Sequence, residues 1–394
     1  MLKIKNIEKA AERIKKAVLN SEQIVIYGDG DLDGISSMVI IKESIDNLIS
    51  LLSKEEKELF PVVFAFSPDR KNEGYGLNDK ALAFIKSKVS KGLIITLDCG
   101  ITNFKEIEDA RNSGYSVVVI DHHKAIGGIP EAAEIVVDPK QPDDDYPFKE
   151  YANVGIAFKL SEELLGKSLS PMLRDSFIEL TALATISDMM PEVGENEQWI
   201  KEGLDRIEYS QRPAIRAIFS ILNPMDFGSK RDMISKINSA LNSAIIENHI
   251  PKPYLFLIES DFEKAKKIAQ ELFLESHEKQ REIAVLTNEL IEKVSMNNNS
   301  SVIFEGSFLY EPEYLGAVAS RLCNYFNKPV FLYKKGENFS RGTVRVPKGM
   351  DAVRAMESCK ELLIMFGGHA PAAGFTVSNN NIFKFEECLK KYFN

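Results

Sequence analysis

Aspartates and histidines gather at three points of this chain where a short apolar run ends: Asp29-Gly-Asp31-Leu-Asp33-Gly34, Leu97-Asp98-Cys-Gly100 and Asp121-His122-His123. The runs before them, Ile24–Tyr27, Leu93–Leu97 and Val117–Ile120, have the length and composition of buried strands. Parallel pairing would collect these carboxylates and imidazoles along one sheet edge, at the strand ends where open α/β sheets bind ligands. Unneutralised acids in such a cluster repel one another. A divalent cation is the natural way to hold several carboxylates together with a histidine.

The first motif excludes two familiar readings. An EF-hand calcium loop opening at Asp29 needs a bidentate glutamate at its twelfth position, where Ile40 stands, and a helix before it, where a strand is expected. A dinucleotide loop needs glycine where Asp33 stands, and bare carboxylates would repel a pyrophosphate. What remains is a strand-end loop that presents Asp29, Asp31 and Asp33 as oxygen ligands, with Gly34 allowing a tight entry into the next helix. Asp98 follows a buried strand, and Thr102-Asn103 after it could cap a helix. Asp121-His122-His123 could supply a metal ligand, an orienting partner and a phosphate donor in one turn, and it holds two of the chain's five histidines. Asp188 ends a helix before Met189-Met190-Pro191 and gains meaning only beside the other acids. Further on, the string around Gly367, Gly368 and His369 would either lay backbone N–H groups and an imidazole against a phosphate or base, or form a tight turn with a packed histidine. Arg341 and Arg345, around the strand Thr343–Val346, are candidate phosphate clamps or residues of a solvated strand edge.

The elements that must position these residues alternate. Up to about residue 195, strands at Ile24–Tyr27, Val62–Phe66, Leu93–Leu97, Val117–Ile120 and Ile135–Val137 are separated by helices starting near Ile35, Asn78 and Asn103. This is the pattern of a mostly parallel sheet covered on both faces. The acidic stretch Asp143-Asp-Asp-Tyr-Pro reads as a solvated loop, and helices are expected over Tyr151–Leu165 and Leu173–Ser187. Residues 196–297 read as a helical connector, with one long helix from Asp261 to about Val294 and a break at Asn297-Asn-Asn-Ser-Ser. A smaller α/β domain over 298–394 follows, with strands near Ser301–Phe304, Pro329–Tyr333 and Thr343–Val346. The fold class is therefore α/β, and the length suffices for two cores.

Composition narrows the function. The formal charge of −9 is the wrong sign for coating nucleic acid through a broad basic surface, so such a substrate would be held locally by metal and a few arginines. No apolar run approaches the roughly eighteen residues that span a bilayer, and the N-terminus lacks the apolar core of a secretion signal, so no membrane contact and a cytoplasmic location are expected. The four cysteines form no CxxC pair and are expected as free thiols.

With these residues assembled, the chain resembles the DHH phosphoesterase superfamily, named for the triplet found here as Asp121-His122-His123, and within it the RecJ-like single-strand exonuclease group. Gly28–Gly34, Asp98–Asn103, the triplet and Ile186–Pro191 resemble its four motifs. Glu73-Gly-Tyr-Gly-Leu77, Tyr146–Lys149, Asn153–Lys159, Gly316–Arg321 and Gly367–Phe375 resemble strings selective for the RecJ group. The similarity runs over nearly the whole chain, and its compact form is more like archaeal relatives, some of which associate with the GINS replication complex. Tyr27 and Glu311 depart from it, standing where bacterial members often show histidine.

The resemblance implies an N-terminal DHH domain over 1–195 and a C-terminal DHH-associated domain. It also implies two Mn²⁺ or Mg²⁺ ions: Asp31 would bind one, Asp33, His122 and Asp188 the other, Asp98 would bridge, and Asp29 would ligate directly or through water. His123 would contact the scissile phosphate, and Arg70, Arg345 and His369 would grip the strand. The expected reaction is hydrolysis of phosphodiester bonds in single-stranded DNA or RNA, releasing mononucleotides in repair or replication. Two competitors are a phosphodiesterase for short oligonucleotides or cyclic dinucleotides, and a GINS-associated replication scaffold without nuclease activity.

Overall fold

The computed structural model describes residues 2–53, 60–69, 73–242, 246–296 and 300–394. Arg70, expected as a phosphate contact, and Asn297–Asn299, expected to end the connector, lie outside the described residues. Two compact units are formed, Met1–Ser276 and His277–Asn394.

In the first unit α1 (Ile7–Leu19) precedes β1 (Ile24–Gly28), α2 (Leu32–Ser53), β2 (Val63–Phe66), α3 (Asp79–Lys88), β3 (Leu93–Leu97), α4 (Phe104–Asn112), β4 (Ser116–Ile120) and β5 (Ile135–Val137). All five strands are parallel, in the order β2-β1-β3-β4-β5. Side chains alternate between faces along each strand. Ile24, Ile26, Leu93, Ile95, Val118 and Ile120 pack in one core with α1 and α2, while Val25, Tyr27, Ile94, Val117 and Val119 pack in the other with α3 and α4. The connection from the carboxyl end of β1 leads to β2 on one side, whereas that from the carboxyl end of β3 leads to β4 on the other. The strand-end motifs of β1 and β3 therefore flank a topological switch point.

The remaining helices of this unit are α5 (Asn153–Leu165), α6 (Pro171–Ser187), α7 (Gly194–Arg206), α8 (Pro213–Ile221) and α9 (Lys230–Leu241). A small hairpin, β6 (Ile246–Glu247) and β7 (Ile250–Pro251), leads to α10 (Lys252–Ile258) and α11 (Phe262–Met296). Of the segment that reads as a connector, residues 196–276 belong to the first unit, and Trp199, Ile207, Ile218, Ile237, Phe256 and Leu272 complete the core under α2 and α5. No helix among the described residues is long and apolar enough to cross a membrane.

The second unit carries β8 (Ile303–Ser307), α12 (Pro312–Phe326), β9 (Val330–Lys334), β10 (Phe339–Arg345), α13 (Ala352–Glu357), β11 (Leu363–His369), β12 (Ala372–Ser378) and α14 (Ile382–Phe393). Its sheet runs β11-β12-β10-β9-β8, antiparallel except for the β8–β9 pair. Leu315, Val318 and Leu322 of α12 cover one face, and Met356, Phe385 and Leu389 of α13 and α14 cover the other.

Three local expectations are corrected, and a fourth string takes a definite form. Helix α2 starts at Leu32 rather than Ile35, because the Asp31 carboxylate accepts from the Asp33 and Gly34 N–H groups and caps it. The acidic stretch at Asp143–Asp145 is more than a solvated loop: the Asp144 side chain is buried, accepting from the Lys5 N–H, the Tyr146 N–H and the Lys149 ammonium. The glycine-rich C-terminal string is a strand and hairpin, with Gly367 opposite Gly374 and Gly368 opposite Ala373. Cys359 and Cys388 are joined in a disulfide rather than free, because the end of α13 and helix α14 bring their Cα atoms to 6.1 Å; Cys99 and Cys323 are buried and take no part in a disulfide.

Candidate metal centre

The loop after β1 is shaped by Gly34, where a Cβ would run into the Asp29 backbone, and by the Asp31 cap. Asp98, after β3, takes a left-handed φ of 60°, which aspartate tolerates better than most residues. Its backbone is held by Asn153: with the amide turned so that oxygen meets donors and nitrogen an acceptor, the oxygen accepts from the Asp98 N–H (2.9 Å) and the Ser37 hydroxyl (3.0 Å) and the nitrogen donates to the Ile120 carbonyl (3.0 Å). Helix α5 begins at the same place. Its first N–H groups, from Asn153 and Val154, donate to the two oxygens of Asp33 at 2.7 and 2.8 Å, an anion site at a helix N-terminus.

Asp121 plays a different part from the other acids, being taken up by donors of its own turn and of Ile101. Its carboxylate accepts from the N–H groups of His122 (2.8 Å), His123 (3.1 Å) and Ile101 (3.0 Å), and from Nδ1 of His123 (2.8 Å). Burial alone would raise its pKa, but the facing His123 charge and these donors hold it down at about 2. In return, Asp121 outweighs the desolvation of His123 and raises the pKa of that imidazole. His123 is thus oriented through Nδ1, with Nε2 as its outward end.

His122 is oriented differently. Its Nδ1 lies 2.8 Å from the Tyr151 carbonyl, which can only accept, so the proton is on Nδ1 and Nε2 carries the lone pair. Burial, followed by the His123 charge, holds its pKa well below the usual value, so the ring is neutral. Bare Nε2 lies 3.1 Å from Asp98 Oδ1, 3.7 Å from Asp188 Oδ2 and 3.9 Å from Asp33 Oδ2.

Three groups of ligand atoms, each within 4.8 Å, overlap here: Asp29, Asp31 and Asp98; Asp33, His122 and Asp188; Asp98, His122 and His123. Burial and then mutual repulsion push the carboxyls of Asp33 and Asp98 well above their ordinary range, and burial followed by Asp31 pushes Asp188 to about 7. Among the described residues, Asp98 Oδ1, His122 Nε2 and Asp188 Oδ2 are buried without a hydrogen-bond partner. An imidazole lone pair facing several crowded carboxylate oxygens is the donor set that a divalent cation takes.

All six candidate ligands, Asp29, Asp31, Asp33, Asp98, His122 and Asp188, thus meet in the first unit. Residues that sequence reasoning did not single out support them. The Tyr75 hydroxyl donates to the Asp98 carbonyl (2.8 Å), beside His123, and Lys140 donates to the His122 carbonyl (2.7 Å). Asn242 accepts from the Leu32 N–H and donates to Ser187, next to Asp188. Tyr75 stood in a recognisable string, but no sequence pattern marked Asn242.

In the second unit, Arg341, Thr343 and Arg345 share one face of β10. Arg345 is fixed by hydrogen bonds to Ser320, Thr343 and the Val344 carbonyl, and Arg341 stacks on Phe339. A Cβ at Gly367 would meet open space, whereas Gly368, at φ 137°, has no room for one. His369 pairs with Ala372 across the hairpin, and its side chain lies outside the described part of the structure.

Comparison with known proteins finds two family models: the DHH family N-terminal domain over residues 23–185 and the DHHA1 domain over 299–394. The single-stranded-DNA-specific exonuclease RecJ of Bacillus subtilis is 32% identical over 385 residues, covering 96% of this chain and 46% of that protein. Its counterpart from Thermus thermophilus is 29% identical over 397 residues, covering all of this chain and 55% of the relative. The chain therefore spans about half the length of these two relatives. A crystal structure of exonuclease RecJ bound to manganese superposes with a TM-score of 0.79 at 27% identity, covering 100% of this chain and 95% of that one. RecJ from Thermus thermophilus in complex with Mn²⁺ gives 0.82 at 26% identity, covering 55% of that chain.

Proposed function

The chain belongs to the DHH family, and from that premise we propose that it is a metal-dependent exonuclease acting on single-stranded nucleic acid. The observation that carries the proposal is the bare Nε2 of His122, 3.1 Å from Asp98 Oδ1 inside a buried cluster of carboxylates. Asp29, Asp31 and Asp98 would hold one divalent cation, and Asp33, His122, Asp188 and Asp98 a second, Mn²⁺ or Mg²⁺ as in the solved RecJ structures. When bound, such ions acidify water and withdraw charge from a phosphodiester.

The chain's own residues do the rest. Asp121 holds His123 by Nδ1 and favours its protonated form, in which Nε2–H can donate to a non-bridging phosphate oxygen as charge builds there. Tyr75, half exposed and hydrogen-bonded to the Asp98 carbonyl, offers a ring face beside the scissile group. In the second unit, Arg345, immobilised by Ser320 and Thr343, would bind a phosphate of the strand with little further loss of side-chain freedom. The bare backbone at Gly367 would admit another phosphate or a base.

The test is degradation of single-stranded DNA and RNA labelled at either end, with Mn²⁺, Mg²⁺ or chelator. Metal-dependent stepwise loss from one end is expected. Hydrolysis confined to substrates of a few nucleotides would overturn the exonuclease reading. RNA cleavage would extend the substrate range, and recovery of GINS subunits in a pull-down would add the partner that the compact relatives suggest.

A further inference from the structure

Two segments support the Asp33–His122–Asp188 group from behind. The first, Glu150–Val154, accepts from His122 Nδ1 through the Tyr151 carbonyl and holds both Asp33 oxygens through two N–H groups. The second, Asp188–Pro191, is the link between α6 and α7, with Met189 at a left-handed φ of 56°. These segments are more than thirty positions apart in sequence, and no ligand joins them covalently.

Asn196 does join them. Wholly buried in the first turn of α7, it donates through Nδ2 to the Glu150 carbonyl (2.6 Å) and to the Pro191 carbonyl (3.0 Å). Both partners can only accept, so both amide hydrogens are committed and the orientation is fixed. One carbonyl lies one residue before Tyr151, the other three residues after Asp188. The neighbouring Glu195 repeats the connection: its carboxylate accepts from Lys159 Nζ (2.6 Å) and from the Tyr146 hydroxyl (2.5 Å). The Lys159 ammonium in turn lies 5.0 Å from the centre of the Tyr146 ring and 5.7 Å from that of Tyr151.

We propose that Asn196 is a positioning residue for the second cation: by clamping the Glu150 and Pro191 carbonyls together it fixes the separation between Asp188 and the Asp33–His122 pair. The ion pair between Lys159 of α5 and Glu195 of α7 reinforces the same closure. The proposal rests on the metal-centre reading above. Polar partners behind metal ligands typically change affinity 10–100-fold when removed, and a clamp shared by two ligand-bearing segments should act on one cation while sparing the Asp29–Asp31–Asp98 group.

The test is Mn²⁺ titration of the full chain, stripped with chelator, followed by the electron paramagnetic resonance of free Mn²⁺, with no nucleic acid present. Wild type should bind two ions. Asn196→Ala should weaken one of them about tenfold or more and leave the other unchanged. Long-range ¹H–¹⁵N spectra of the metal-free protein should show the His122 Nδ1–H tautomer fixed in wild type and mixed in the variant. Ile200→Ala, which removes buried packing from α7 without touching the clamp, controls for lost stability. The proposal is overturned if Asn196→Ala binds both ions as wild type does, or if Ile200→Ala at equal loss of Tm weakens the same ion equally. Should Asn196→Ala not fold, Lys159→Met is read in its place: a weakened ion restored by Lys159→Arg supports the clamp, and unchanged binding overturns it. Wild type that binds no Mn²⁺ would instead overturn the metal centre, and the clamp with it.

Discussion

Replacing Asp98 by asparagine separates charge from shape where the candidate cation groups meet. Asparagine accepts a left-handed backbone as readily as aspartate, so the φ of 60° adds no strain. In metal-free protein the substitution removes a buried carboxylate whose oxygen lies within 4.8 Å of those of Asp29 and Asp31. Two full charges at that separation repel by about 3.5 kcal/mol at an effective dielectric of about 20, and partial protonation of the cluster lowers what is relieved. The new amide can also donate to His122 Nε2, 3.1 Å from the replaced oxygen. A net gain of about 1–3 kcal/mol is expected in chelator, roughly 2–10 °C in Tm for a unit of this size. With Mn²⁺ at about one hundred times Kd, wild type gains about 2.7 kcal/mol for each of its two ions, which the variant largely forgoes, so the order of the two melting temperatures inverts. Scanning fluorimetry at pH 8, above the Asp188 pKa of about 7, reads both conditions. Strand cleavage should fall about a thousandfold. A variant that melts below wild type in chelator, or that Mn²⁺ stabilises as strongly as wild type, would refute the charge argument.

Other outcomes follow from single contacts. His123→Gln should leave Mn²⁺ affinity unchanged and lower kcat about 10²–10³-fold, since the imidazole is held by Asp121 and aimed at substrate; loss of metal binding would make it a ligand instead. Gly367→Ala should leave Tm within about 1 °C, because the added Cβ meets open space, yet raise KM for single strands; an unchanged KM would remove this backbone from the substrate path. Glu179 is buried beside Ser210, and burial raises its carboxyl to about 7. An acid whose pKa is raised in the folded state contributes stability that is present below its unfolded value and lost as pH rises through the folded one. Glu179→Gln should therefore match wild type near pH 4 and exceed it by up to roughly 3 kcal/mol at pH 8, read by urea unfolding; equal stability at both pH values would contradict the raised pKa.

The sheet and the ligands were legible in the sequence because both depend on local patterns. An apolar run of four or five residues followed by Asp, or by Asp-His-His, specifies a buried parallel strand and what stands at its end, and the observed ranges of β1, β3 and β4 differ from the expected ones by a residue at most. Asp31 was legible as an acid, but its second role as the cap of α2 depends on backbone geometry that spacing does not encode. The disulfide and the buried Asp144 side chain were missed for a different reason: Cys388 and the Lys5 N–H that complete them lie far away along the chain. What composition could not reveal at all is how the ligands are aimed. Asn153, Asn196 and Asn242 are ordinary surface-type residues in a sequence, and each turns out to link a ligand-bearing segment to one far away along the chain. Asparagine suits that task because its amide both donates and accepts without adding a charge to a site already crowded with carboxylates. An additional aspartate at any of these positions would sharpen the repulsion that a cation must overcome, and a lysine would compete with the cation for the same oxygens. The neutral amides are thus the complement of the acidic motif: the carboxylates supply the charge that recruits metal, and the amides fix where that charge stands.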